Sequence, residues 1–117
     1  MKTTVYGIKN CDTMKKAFTW LDKHKVAYEF HDYKKSGADK AVLEQAFKEH
    51  GWEKVLNRAG MTWRNLPDKV KADMNAKTAL AAALDNPSVI KRPLVVAGKA
   101  IHIGFDEAAF GKLFGVK

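Results

Sequence analysis

The chain of 117 residues contains a single cysteine, Cys11, so no disulfide can close within it and no zinc site can be built on thiolates. A lone thiol suits a reducing compartment, and a cytoplasmic location is expected. No apolar run approaches the ~18–20 residues that cross a bilayer, so no membrane partner is expected. The opening segment MKTTVYGIKNCDT has only a short apolar stretch and no small-residue cleavage site, which argues against a secretory signal. Gly-rich phosphate loops are absent. The histidines, His24, His31, His50 and His102, are too dispersed to form a metal constellation. Arginine is scarce as well: only Arg58, Arg64 and Arg92 among 21 basic residues.

What is present describes one soluble globular domain over residues 1–117, with 46% apolar and 29% charged residues. The formal charge of +8 suits an anionic partner. Its lysines, however, are scattered through helices (Lys15, Lys16, Lys23, Lys48, Lys69, Lys71), which argues against a nucleic-acid stripe.

Thr3 to Ile8 reads as a buried strand. Met14, Ala17, Phe18 and Leu21 then repeat at helical spacing, predicting a helix to about Lys25. Val26, Tyr28 and Phe30 alternate with polar residues and predict a second, parallel strand ending near Tyr33. Ser36-Gly37 breaks the chain before a helix over Ala38–His50, which Gly51 stops. Residues 52–86 read as helical with interruptions at Gly60 and Pro67, most clearly over Thr78–Leu84. After Pro93 come the strands Leu94–Val96 and Ile101–Ile103 with a turn between them, then a helix capped by Asp106. The order βαβ, helical stretch, ββα predicts an α/β fold with a four-stranded mixed sheet.

Cys11 falls where the first strand gives way to the first helix. Unpaired backbone N–H groups and the helix dipole there favour an anion, so the site lowers a thiol pKa and enriches the nucleophilic thiolate. Lys9 and Lys15 flank the turn and act in the same direction. Polar neighbours argue against a purely structural, buried cysteine. The motif is Cys11-Asp12-Thr13-Met14, with Met14 where a CxxC pair would have its second thiol, so any catalytic cycle needs an external thiol. Pro93, at the head of a strand and just after Arg92, fits either a cis-proline loop or an ordinary trans start. Arg58 and Arg92 are candidates for holding an anion, since a guanidinium fork binds oxyanions and carboxylates bidentately.

Tyr6-Gly7-Ile8-Lys9-Asn10-Cys11-Asp12-Thr13, Leu56-Asn57-Arg58, Thr62-Trp63-Arg64, Ile90-Lys91-Arg92-Pro93 and Ile103-Gly104-Phe105 together resemble the ArsC/Spx family, in particular its small YffB-type branch. The resemblance spans essentially the whole chain. It implies a thioredoxin-like fold with a helical insertion at about 38–86. It also implies that Cys11 is the active-site thiol and that Arg58 and the Arg92-Pro93 cis-proline loop approach it.

In the arsenate reductases of the family the thiol attacks the oxyanion, arginines neutralise it, and glutathione and glutaredoxin complete the reduction. This chain departs from them in having Gly7 in place of a histidine, Lys15 in place of an arginine, and no arginine over residues 100–105. Spx-type regulators bind the RNA polymerase α subunit and commonly carry the CxxC switch that Met14 removes. The expectation is therefore a glutathione-dependent thiol reductase with no bound cofactor or metal. Cys11 is the nucleophile, Asn10 and Thr13 position it, and Arg58 and Arg92 hold an anionic group such as a glutathione carboxylate. The alternatives are an arsenate reductase using glutathione and glutaredoxin, and a regulator of RNA polymerase.

Overall fold

The computed structural model describes residues 2–9 and 11–115. In chain order the elements are β1 (Thr3–Gly7), α1 (Asp12–Lys23), β2 (Glu29–Asp32), α2 (Tyr33–Ser36), α3 (Lys40–His50), α4 (Trp52–Val55), α5 (Met61–Arg64), α6 (Asp68–Ala72), α7 (Ala76–Asp85), a 3-10 turn (Pro87–Val89), β3 (Leu94–Ala97), β4 (Ala100–Ile103) and α8 (Glu107–Phe114). They fall into two compact units. One is built from the chain up to Tyr33 together with the chain from Arg92 onward, and the other is Lys34–Lys91. The second unit contains the whole stretch that the sequence marks as an insertion.

The first unit is a four-stranded mixed sheet in the order β2-β1-β3-β4. Central β1 runs parallel to β2, with Val5 opposite Phe30, and antiparallel to β3, with Val5 opposite Val95. Strand β4 returns beside β3, pairing His102 with Val95. The β3–β4 turn is the two-residue step Gly98-Lys99. Gly98 has φ +62 while Lys99 is not left-handed, the pattern that suits a tight hairpin whose first central residue is glycine.

Strand β2 begins later than the alternation predicts, and the end of α1 explains why. Lys25 takes the left-handed conformation at φ +57. The Val26 N–H then donates to the Leu21 carbonyl at 2.9 Å and the Lys25 N–H to that of Asp22 at 3.2 Å. This is a Schellman closure of the helix. Lys25 and Val26 are thereby spent on satisfying helix carbonyls rather than on pairing. At the other end, Tyr33 turns into α2 in place of extending the strand.

Helix α8 starts as its sequence predicts. The Asp106 carboxylate accepts from the N–H groups of Ala108 at 2.9 Å and Ala109 at 3.4 Å. Between α1, α8 and the sheet lies a core of Val5, Met14, Ala17, Trp20, Leu21, Val95 and Phe110, with Cys11 packed at its margin. Phe110 is fully buried. It meets Trp20, Phe105 and Phe114 edge-on at centroid distances of 5.4, 4.9 and 5.8 Å.

In the second unit the long helical stretch resolves into short helices. Leu56 is extended and bridges to Ile90, Gly60 and Pro67 sit at the starts of α5 and α6, and Asn75 opens α7 with a capping box to Thr78. The buried Ala79 and Ala83 let α7 pack closely on α3, whose Leu43 and Ala46 are buried. No helix among the described residues is long and apolar enough to cross a membrane.

Candidate active site

Cys11 is the N-cap of α1, with extended backbone at φ −137 and ψ 128. Its carbonyl accepts the first helical bond, from the Lys15 N–H at 3.0 Å. The side chain is half-buried, so the thiol combines contact with the core and access from outside. Sγ makes no capping hydrogen bond of full geometry, although the Met14 and Thr13 N–H groups lie toward it. Burial pushes its pKa up. The Met14 N–H, the Arg92 guanidinium and the Thr13 N–H outweigh burial by stabilising a negative sulfur, Arg92 adding its charge to its hydrogen bond. The net result is a thiol titrating below its ordinary value.

The cationic support expected from Lys9 and Lys15 comes from Arg92 instead. Both lysines are exposed, where water and salt screen their charge.

Arg92 is half-buried on the segment that enters β3, and its bond to Pro93 is cis. Pro93 is buried, and its carbonyl accepts from the Gly104 N–H at 2.8 Å, tying the loop to the end of β4. Cys11, Thr13, Arg92 and Pro93 all belong to the sheet unit. Asn10, the remaining positioning candidate, lies outside the described residues. An Arg92→Gln variant is expected to move the pH midpoint of Cys11 upward and to slow its alkylation severalfold at neutral pH, because the thiolate loses its nearest cation. Iodoacetamide alkylation rates measured against pH check this. An unchanged midpoint would assign the activation to the helix amides alone.

One feature of the site is not legible from the motif. A Cβ placed on Gly7 would lie 2.5 Å from Met14 Sδ and 2.6 Å from its Cε. Met14 is fully buried and cannot swing into solvent. Gly7, the departure from the arsenate-reductase pattern, and Met14, the departure from the CxxC pair, are thus one packing arrangement, in which the thioether lies in the space that a side chain at position 7 would take. A side chain at position 7 would require the Met14 thioether to move, and with glycine there no imidazole from that position assists the thiol. An isolated glycine at the end of a strand was the available signal, since such glycines mark close approaches.

Arg58 belongs to the second unit, on the loop after α4. It is exposed, and its guanidinium carbon stands 6.0 Å from the Trp52 ring centroid. Trp52 in turn stacks on Trp63 at 6.2 Å and 24°. This cation–π contact limits the orientations open to the fork. Among the described residues no group of His, Cys, Asp and Glu is placed to hold a metal ion.

A cysteine held at the head of the first helix, with an arginine and a cis-proline brought beside it by the third strand, defines a thiol protein of the thioredoxin fold. The fold alone is shared with a glutaredoxin from Archaeoglobus fulgidus, at 16% identity and a TM-score of 0.51, covering 97% of this chain and 85% of that one. More narrowly, the chain belongs to the ArsC family, whose model matches residues 6–113.

It is 46% identical over 112 residues to an uncharacterised protein of Haemophilus influenzae, covering 95% of this chain and 97% of that one. It is 30% identical over 106 residues to the global transcriptional regulator Spx of Streptococcus agalactiae, covering 89% of this chain and 77% of Spx. A solved structure of the YFFB protein matches with a TM-score of 0.93 at 50% identity, covering 96% of this chain and 98% of that one.

Proposed function

We propose that the protein is a glutathione-dependent thiol reductase whose nucleophile is Cys11. The observation that carries the reading is a half-buried thiol at the N-cap of α1, set among the first-turn amides and Arg92, an arrangement that favours the thiolate. The Cys11 thiolate attacks the sulfur of a glutathionylated substrate. The substrate leaves as a thiolate that takes a proton from water, and Cys11 is left as a mixed disulfide with glutathione. A second glutathione thiolate then attacks that disulfide, releasing oxidised glutathione and regenerating Cys11. With Met14 where a CxxC motif has its second thiol, the second attack has to come from outside. Arg92 is the group proposed to hold a glutathione carboxylate, and Arg58 is a second candidate for the same task.

Purified protein is expected to turn over a glutathionylated peptide repeatedly with glutathione present and to stop after one equivalent without it. Equal rates without glutathione would reject the reading. Arsenate reduction is disfavoured by the filled Gly7–Met14 space, and no turnover is expected with arsenate, glutathione and glutaredoxin. The identity to Spx supports one other reading, binding to the RNA polymerase α subunit. Retention of the protein on immobilised α C-terminal domain, together with absent turnover, would favour that reading.

A further inference from the structure

The outward side of α1 borders a groove of about 790 Å³ whose two sides differ in charge. Lys15, Lys16 and Lys23 project from α1, while Asp106 and Glu107 face them from the start of α8. The buried Trp20 and half-buried Phe105 supply an apolar base. Among the described residues none of these three lysines forms an ion pair. The span from Lys15 to Lys23 is about 12 Å of helix, roughly the length of four residues of extended chain. The groove opens one helical turn beyond the thiol, since the Lys15 N–H bonds to the Cys11 carbonyl.

We propose that this groove docks an extended acidic segment of a protein partner. Its carboxylates lie toward Lys15, Lys16 and Lys23, and one apolar side chain packs between them against Trp20 and Phe105. Charge complementarity selects this occupant. The acidic rim repels the uniformly negative backbone of a nucleic acid, yet Glu107 can accept N–H groups of a polypeptide, the Asp106 carboxylate being engaged by the Ala108 and Ala109 N–H groups. The proposal takes its purpose from the thiol reading: a polypeptide whose own sulfur reacts with Cys11 would lay its neighbouring residues in the groove.

The test uses a fluorescein-labelled peptide with acidic residues on either side of one phenylalanine and no cysteine, so that binding is independent of thiol chemistry. Fluorescence anisotropy is expected to show binding to the full chain, weakened at least about tenfold by Lys16→Glu/Lys23→Glu. Thr19→Trp, which fills the groove without changing charge, is expected to weaken it comparably. Circular dichroism verifies that α1 persists in both variants. Absent binding, equal affinity of the variants, or tighter binding of a single-stranded oligonucleotide with the same lysine dependence would overturn the proposal. Such a result with Cys11 alkylation unchanged would leave the thiol reading standing, so the two fail separately.

Discussion

A Cys11→Ser variant is expected to show no thiol–disulfide exchange above the uncatalysed background while folding at least as stably as the parent. The activity side follows from chemistry and from the sequence. Serine forms no disulfide and is not ionised at neutral pH, and no second cysteine exists to take over. The stability side follows from the structure. Cys11 is the N-cap of α1 but its side chain makes no capping hydrogen bond. A serine hydroxyl at an N-cap accepts from the first-turn N–H groups, a contribution of about 1 kcal/mol. The loss of a half-buried sulfur from the core margin works against this, so the net change is small. Turnover of the glutathionylated peptide and thermal melting separate the two effects. Residual turnover would show that Cys11 is not the nucleophile, and a large drop in melting temperature would show that its sulfur is chiefly a packing element.

Phe110→Ala is expected to cost about 3–5 kcal/mol of stability, a large share of the whole for a domain of this size. Phe110 has no exposed surface and lies where α8, α1 and the sheet meet. Besides its edge-on contacts with Trp20, Phe105 and Phe114, its ring lies 5.5 Å from that of His102. Removing the ring opens a cavity that rigid aromatic neighbours cannot close, so the lost transfer energy and the cavity penalty add. The melting temperature should fall by roughly 15 °C. Because Met14 and Trp20 hold α1 through the same cluster, alkylation of Cys11 should also lose part of its pH dependence as the helix start loosens. Phe110→Leu retains most of the volume and is expected to lose much less. A loss below about 1 kcal/mol for the alanine variant would mean that the cluster collapses around the gap.

Much of this protein was legible from local signals. The strand-to-helix step at Cys11, the Asp106 cap, the Gly51 stop and the β3–β4 hairpin depend on caps, turns and periodicity, which act over a few residues. The lack of a second thiol is likewise a property of the chain alone, and it makes an external thiol necessary for any turnover whatever the substrate is. Alternation also pointed to the second strand but misjudged its start, because Lys25 and Val26 close the preceding helix and apolar alternation carries no sign of that. The stretch from Trp52 to Asn86 read as mostly helical with breaks at Gly60 and Pro67, which the structure keeps as helix starts, whereas the end of α4 coincides with Leu56 pairing with Ile90, a contact between distant residues.

At the functional site the same division holds. The sequence by itself determined that a single thiol stands at the head of a helix and that its chemistry needs an outside partner. Tertiary structure alone decided which charge stabilises that thiol. The nearby lysines lie in water, whereas Arg92, far away in sequence, reaches the sulfur because β3 pairs with β1. It also decided that Gly7 and Met14 share one space, since a glycine and a thioether can fit together there only because α1 folds back on the strand.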